Sequence, residues 1–305
     1  MKIIFFATPD FAIPSLKILY ESNHEIVGVV TAPDKQRGRG RKVSYSPIKQ
    51  FAIDNNLHVL QPEKMKDEDF ITDLKKLEAD LFVIVAFRIL PTNVFTIPKL
   101  GSFNLHGSLL PKYRGAAPIQ WAIINGETQT GATTFFLKEK VDTGNIILQE
   151  KIVINPEDNF EALHDSMSEI GAELVLKTVD LIETEKYTLF EQDNSKASPA
   201  PKITKETCKI EWNQSTENIH NLIRGLSPYP GAFFIHEEKQ FKIFNSSITN
   251  NHDLKIGEIK QTKNELFVGC KDGTLQILEI QAEGRKRMNV EDFNRGFSFR
   301  KYLYQ

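Results

Sequence analysis

The sequence predicts a doubly wound, mostly parallel α/β domain followed by a small C-terminal β-barrel domain, and three observations carry that expectation. Short apolar runs alternate with helical patterns from the first residues to Val85, an order that buries a parallel sheet between helical layers. One of those runs, Leu81 to Val85, is apolar at every position, as a strand covered on both faces should be. After a polar stretch at 188–206 the texture changes to short strand-like runs at close spacing.

Each element has a local reason. Residues 2–6 are the first apolar run, and Thr8-Pro9-Asp10 stops it before the helical spacing of Phe11, Leu16, Leu19 and Tyr20. Glu25 to Val30, rich in branched residues, is the next strand. Ser46-Pro47 supplies a capping hydroxyl and a proline at the first helical position, opening a helix toward Asn55. Val59-Leu60 is a short strand, Asp67 caps a helix reaching about Leu77, and Leu81 to Val85 follows. Residues 102–106 form a strand ending at His106; Ala132 to Leu137 and Ile146 to Ile154 form a β pair. Phe160 to Ile182 is a long amphipathic helix. The stretch 188–206, with Ser195, Ser198, Pro199, Pro201 and few apolar residues, has the composition of an exposed linker. Strand-like runs then recur at Gly231–Ile235, Phe241–Phe244, Leu266–Cys270 and Leu275–Ile280. The expected domains are 1–187 and 207–305, joined by 188–206.

Composition narrows the function classes. Of 305 residues 40% are hydrophobic and 26% charged, enough to build packed cores, and a net charge of −2 names no polyanionic partner by itself. Two cysteines, Cys208 and Cys270, suit a reducing compartment. Neither has a Cys or His at metal-ligand spacing, so a structural zinc is not expected. The opening run is too short for a signal peptide, and Leu81 to Phe87 is far below a membrane span. A cytoplasmic protein, with no membrane partner, is the expectation. No Gly-x-Gly-x-x-Gly follows the first strand, which argues against a nucleotide-binding oxidoreductase.

Ligands of doubly wound sheets sit beyond the carboxyl ends of the strands, and three segments fall there. In Asn104-Leu105-His106, strand alternation puts the amide and the imidazole on one face, where both could donate to a developing oxyanion. A turn-capping Asn beside a part-buried His is the plainer alternative. Asp142, in the turn Lys140 to Asn145, could orient His106 or relay a proton, although an Asp in a turn is usually turn chemistry. The third segment, Pro111 to Trp121, is a basic loop entering a helix and contains Arg114.

Read as a set, these segments resemble the 10-formyltetrahydrofolate formyltransferases. The resemblance rests on Asn-x-His-Gly-Ser-Leu-Leu-Pro at 104–111, Tyr-Arg-Gly-Ala-Ala-Pro-Ile-Gln at 113–120 and Asp-x-Gly at 142–144. It extends to Ala7 through Phe11, the loop from Pro33 to Lys42, and Ser227 through Ala232, so it spans nearly the whole chain. It implies transfer of a formyl group from 10-formyltetrahydrofolate, as co-substrate and without a metal, to the α-amine of initiator methionyl-tRNA. It further implies a catalytic trio of Asn104, His106 and Asp142, with Ser108, Leu109, Leu110 and Pro111 bordering the folate. The stretch Phe87, Arg88, Ile89 and Leu90 flanks the pterin in relatives; here it is one residue shorter than usual and lacks a glycine. Ala7 stands where the family has glycine.

The loop 35–42 holds five cations in eight residues, and the resemblance implies that it grips tRNA, with Arg37, Arg39, Arg41 and Lys42 as phosphate contacts and Arg39 as the key one. Arg114, Arg285, Lys286 and Arg287 extend that expected track. DNA is not an expected partner, and a monomer is expected. Rival readings are a sibling enzyme that formylates an amino sugar on a nucleotide carrier, a hydrolase releasing formate from the same folate, and a tRNA-binding module without catalysis.

Overall fold

The computed structural model describes residues 1–37, 42–249, 254–300 and 302. The chain divides into two compact units: the first comprises 1–118, 130–152 and 164–200, the second 119–129, 153–163 and 201–305.

Unit 1 is built on a seven-stranded sheet. Its strands are β1 (Lys2–Ala7), β2 (Glu25–Val30), β3 (Val59–Leu60), β4 (Leu81–Val85), β5 (Ser102–His106), β6 (Gln129–Phe136) and β7 (Ile146–Val153), in the spatial order β7-β6-β5-β4-β1-β2-β3. Pairing from β5 through β3 is parallel and that of β5 with β6 antiparallel, the mostly parallel doubly wound sheet expected. Both faces are covered. Ile4 and Phe6 of β1 and Phe82 and Ile84 of β4 share one apolar cluster with Phe70 and Leu74 of a helix at Glu68–Lys76. Each such side chain stabilises the fold by about 1.5–3 kcal/mol on burial. On the opposite face, Gly171 of the long helix Phe160–Glu183 sits so close that a Cβ there would lie 2.8 Å from Leu105 Cδ2. The helix caps follow the sequence: Ser46 accepts from the Lys49 amide ahead of Pro47, and Asp67 accepts from the Asp69 amide.

The stretch 188–206 behaves differently from the free linker its composition describes. Phe190 pairs with Ile146, and Pro199–Ala200 pairs in parallel with Arg114–Gly115. Backbone hydrogen bonds to unit 1, which composition does not record, hold residues 190–200 in place.

Unit 2 carries an antiparallel sheet of β8 (Ala232–His236), β9 (Lys239–Thr249), β10 (Ile259–Gln261), β11 (Leu266–Gly269) and β12 (Thr274–Ala282), in the order β8-β9-β12-β11-β10. Trp212, Ile219, Phe234, Phe241 and Ile277 form its core. Strand β9 runs past the expected Phe241–Phe244 to Thr249, because Asn245 through Thr249 continue the pairing with β12 across two register shifts. Among the described residues no helix is long and apolar enough to cross a membrane.

Candidate active site

Strand β5 carries the two candidate side chains, Asn104 and His106, at alternate positions. Asn104 pairs in register with Ile84 on one side and Phe135 on the other, and His106 pairs with Thr133. Asn104 is half-buried and its amide takes no side-chain hydrogen bond among the described residues. His106 is 6% exposed, with its ring edge-on to Phe135. Its Nε2 lies 2.8 Å from the Tyr113 carbonyl oxygen. A carbonyl only accepts, so the ring in this orientation carries a proton on Nε2 and, when neutral, a lone pair on Nδ1.

Nδ1 faces Asp142 Oδ2 at 3.9 Å, beyond direct hydrogen-bond reach. The Asp142 carboxylate instead accepts from the Gly115 amide at 2.9 Å. Asp142 stands at φ +54°, left-handed backbone that Asp tolerates better than most residues. The turn is closed by Gly144, packed so tightly that a Cβ would come within 1.6 Å of the Phe136 carbonyl oxygen. The trio therefore leaves a gap flanked by a histidine lone pair and a carboxylate oxygen, with the Asn104 amide on the same strand face.

A second ring of contacts fixes these groups. Gln192, 9% exposed, donates from Nε2 to the carbonyls of Asp142 (3.0 Å) and Gly144 (2.8 Å). Its Oε1 accepts from Arg114 Nε (3.0 Å) and Nη2 (2.7 Å). Ser198 Oγ accepts from the Tyr113 amide at 2.9 Å, and its carbonyl accepts from the Arg114 amide at 2.9 Å. Below the strand end, Thr133 Oγ1 donates to the Ser108 carbonyl (2.6 Å) and accepts from the Leu110 amide (3.1 Å). Gln149 Nε2 reaches both Thr133 Oγ1 and the Leu110 carbonyl at 2.9 Å.

The formyl transferase family matches residues 1–179, and the C-terminal domain of formyl transferases matches residues 202–298. The chain belongs to the formyl transferase family. A relative from Bacteroides fragilis named methionyl-tRNA formyltransferase is 48% identical, covering 97% of this chain and 95% of its own length. One of the same name from Flavobacterium johnsoniae is 46% identical over 98% and 97%. Among solved structures, a sugar 3N-formyl transferase shares the fold at a TM-score of 0.69 and 24% identity, covering 94% of this chain and 99% of that one.

The residues expected at a formyl transferase's folate site fall into two groups. Ser108 and Leu110 are buried: the Ser108 hydroxyl donates to the Lys112 carbonyl at 2.6 Å, so it holds the loop from within. Leu109 and Pro111 are half-buried along the same loop. In the second segment Leu90 is buried in the core, Phe87 is half-buried with its ring edge-on to Phe6, and Ile89 is 73% exposed. The Arg88 guanidinium is tied to the carbonyls of Pro62 and Glu63, and burial lowers its pKa. Arg88 thereby anchors its own loop.

The expected RNA track is similarly divided. Arg39 and Arg41 lie outside the described residues, while Arg37 and Lys42 are paired in the short hairpin Lys35–Arg37 and Lys42–Ser44. Arg114 is half-buried, and its guanidinium donates to Gln192. Arg287 pairs with Glu279 and stacks 4.6 Å over the Phe244 ring, whereas Arg285 and Lys286 are exposed on the turn after β12. One group of metal-capable side chains, His24, Asp180 and Glu183, is separate from the trio, and His24 Nε2 already lies 2.9 Å from Asp180 Oδ1. Sequence reasoning missed Gln192, Ser198, Thr133 and Gln149. The available signal was Thr133 and Gln149 facing the expected site strand within the predicted β pair; Gln192 and Ser198 gave none, since a polar residue in a polar stretch is unremarkable.

Proposed function

We propose that the chain transfers the formyl group of 10-formyltetrahydrofolate to the α-amine of initiator methionyl-tRNA, in the cytoplasm and with no metal. The observation that carries this reading is the 3.9 Å separation of His106 Nδ1 and Asp142 Oδ2, near an Asn104 amide that has no hydrogen-bond partner among the described residues. An amine nitrogen set to one side of the line between these two atoms, about 2.9 Å from each, donates one hydrogen to the imidazole lone pair and one to the carboxylate. Its lone pair then attacks the formyl carbon. The new C–N bond forms as the carbonyl oxygen becomes an oxyanion, which the Asn104 amide stabilises. The proton leaving the amine passes to His106 Nδ1 and on to the folate nitrogen as the old C–N bond breaks. His106 was expected to share the oxyanion with Asn104; the commitment of Nε2 to the Tyr113 carbonyl favours a proton-carrying role instead. The folate is held along 108–111 and beside Phe87 and Ile89, and Arg37, Arg39, Arg41 and Lys42 meet tRNA phosphates with Arg285 and Lys286 of the C-terminal domain.

The choice of tRNA over an amino sugar is supported by the curated relatives, which are 43% to 48% identical and named for methionyl-tRNA, against 24% or less for the sugar-acting structures. The test incubates the purified protein with 10-formyltetrahydrofolate and charged initiator tRNA, and looks for formyl-methionine by mass spectrometry after ester hydrolysis. Loss of an oxyanion donor costs about 10²–10³ in rate, so Asn104→Ala is expected to fall by that factor. Formylation of an amino sugar instead, or formate release without an acceptor, would move the substrate to a rival reading.

A further inference from the structure

We propose that Gln192 is a positioning residue for formyl transfer, holding the Asp142 carboxylate at the working distance from His106 from a segment fifty residues away in sequence. The inference rests on the trio's role proposed above. Its basis is that every hydrogen-bonding valence of one buried amide is used, and all of it on two segments of the site. Both Nε2 protons go to the Asp142 turn, on the carbonyls of Asp142 and Gly144. Both Oε1 lone pairs take hydrogens from Arg114, whose chain neighbour Gly115 supplies the amide that the Asp142 carboxylate accepts. Asn and Gln have four such valences, and a side chain with all four satisfied can sit in only one way.

The result is a closed loop of contacts. Gln192 fixes the Asp142 backbone, which at φ +54° would otherwise relax toward commoner conformations. Through Arg114 it also fixes the strand that holds the Asp142 carboxylate at Gly115 and presents the Tyr113 carbonyl to His106. Ser198, six residues on, ties the same strand by its hydroxyl and its carbonyl. Asp142 and His106 therefore share a scaffold whose hub is Gln192. Only an amide fits it. A carboxylate would meet Arg114 well but would face two carbonyl oxygens with no proton to give. Methionine fills the space and bonds to neither side.

The test uses the full chain with Gln192→Met and Gln192→Glu. Displacing a reacting group by about 1 Å costs on the order of 10²-fold in rate. Both variants are therefore expected to lose about 10–10²-fold in kcat, with KM for folate and for charged tRNA unchanged. A double-mutant cycle with Asp142→Asn should be strongly non-additive, because the second change removes what the first misplaces. The readout independent of activity is amide hydrogen exchange at Gly115, whose N–H is held by Asp142: it should speed up in both variants while exchange across β1 and β4 stays as in the wild type. Unchanged Gly115 exchange, or unchanged kcat in Gln192→Glu, overturns the proposal. Should Gln192→Met fail to fold, Gln192→Glu retains the Arg114 pairing and decides the question. A wild-type chain that formylates no methionyl-tRNA would refute the activity reading, and the Gly115 exchange would still decide whether Gln192 holds Asp142.

Discussion

Gly144→Ala is the smallest perturbation that tests whether the Asp142 turn must be where it is. The structure gives the magnitude directly. A Cβ on residue 144 would lie 1.6 Å from the Phe136 carbonyl oxygen, 2.8 Å from its carbon and 3.1 Å from Phe135 Cδ2. Carbon–oxygen contacts settle no closer than about 3.3 Å, so turn and strand must separate by roughly 1.7 Å. Nothing flexible can yield, because the obstacle is the backbone of β6, itself paired through the Phe136 amide to the Asn145 carbonyl at 3.0 Å. That displacement reaches Asp142 two residues earlier and the Gly144 carbonyl that Gln192 holds. A shift above 1 Å at a reacting group predicts a loss of at least about 10²-fold in kcat. Overpacking of this kind costs about 1–3 kcal/mol, a fall in Tm of roughly 2–10 °C for a unit of this size. The assay is single-turnover formyl transfer with both substrates saturating, with thermal unfolding followed in parallel. Gly296→Ala is the control, since a Cβ there meets nothing within 4 Å. Wild-type turnover in Gly144→Ala, whatever its melting temperature, would refute the claim that catalysis depends on the geometry of this turn.

Two further expectations concern stability. Thr133→Val keeps the shape of a fully buried side chain but removes its hydrogen bonds to Ser108, Leu110 and Gln149. Gln149 keeps the Leu110 carbonyl, but leaving the Ser108 carbonyl and the Leu110 amide unsatisfied costs about 1–3 kcal/mol each, so a loss of about 2–6 kcal/mol and a raised KM for folate are expected; unchanged denaturant unfolding would mean that water replaces the hydroxyl. Burial pushes the Cys270 thiol up to about 12. Below about pH 8.5 the thiol is protonated folded and unfolded alike, so its contribution to stability is fully present there. Between that pH and about 12 the unfolded chain releases the proton while the folded one keeps it, so this group makes stability fall by about 1.4 kcal/mol per pH unit. Denaturant unfolding of the wild type against Cys270→Ala across that range reads the difference; parallel curves would show that the thiol titrates normally in the folded state.

The sequence carried the parts of the site that depend on short-range rules. Period-two alternation put Asn104 and His106 on one face, and strand register, not chance, then set them against Ile84 and Thr133. The fold was legible for the same reason: Leu81 to Val85 has no polar position, so no solvated face was open to it. Legibility failed where a residue acts through partners distant in the chain. Gln192 and Ser198 lie in a stretch whose composition argues for solvation, yet both spend their polar groups on backbone atoms of residues 113, 114, 142 and 144 or on the Arg114 side chain. Arg114 shows the converse limit of sequence. As a cation in a basic loop it looked like an RNA contact, but its guanidinium is turned inward to an amide oxygen. A cation's charge is visible in sequence, while its hydrogen-bond partner is a property of the fold. The same distinction separates Arg287, spent on Glu279 and Phe244, from Arg285 and Lys286, which stay exposed on a turn. Of the four expected RNA contacts whose side chains are described, two are therefore committed within the protein. The phosphate-binding load of the proposed reaction then rests on Arg285 and Lys286 and on the loop between residues 35 and 42, where glycines separate the cations and no apolar residue competes for them.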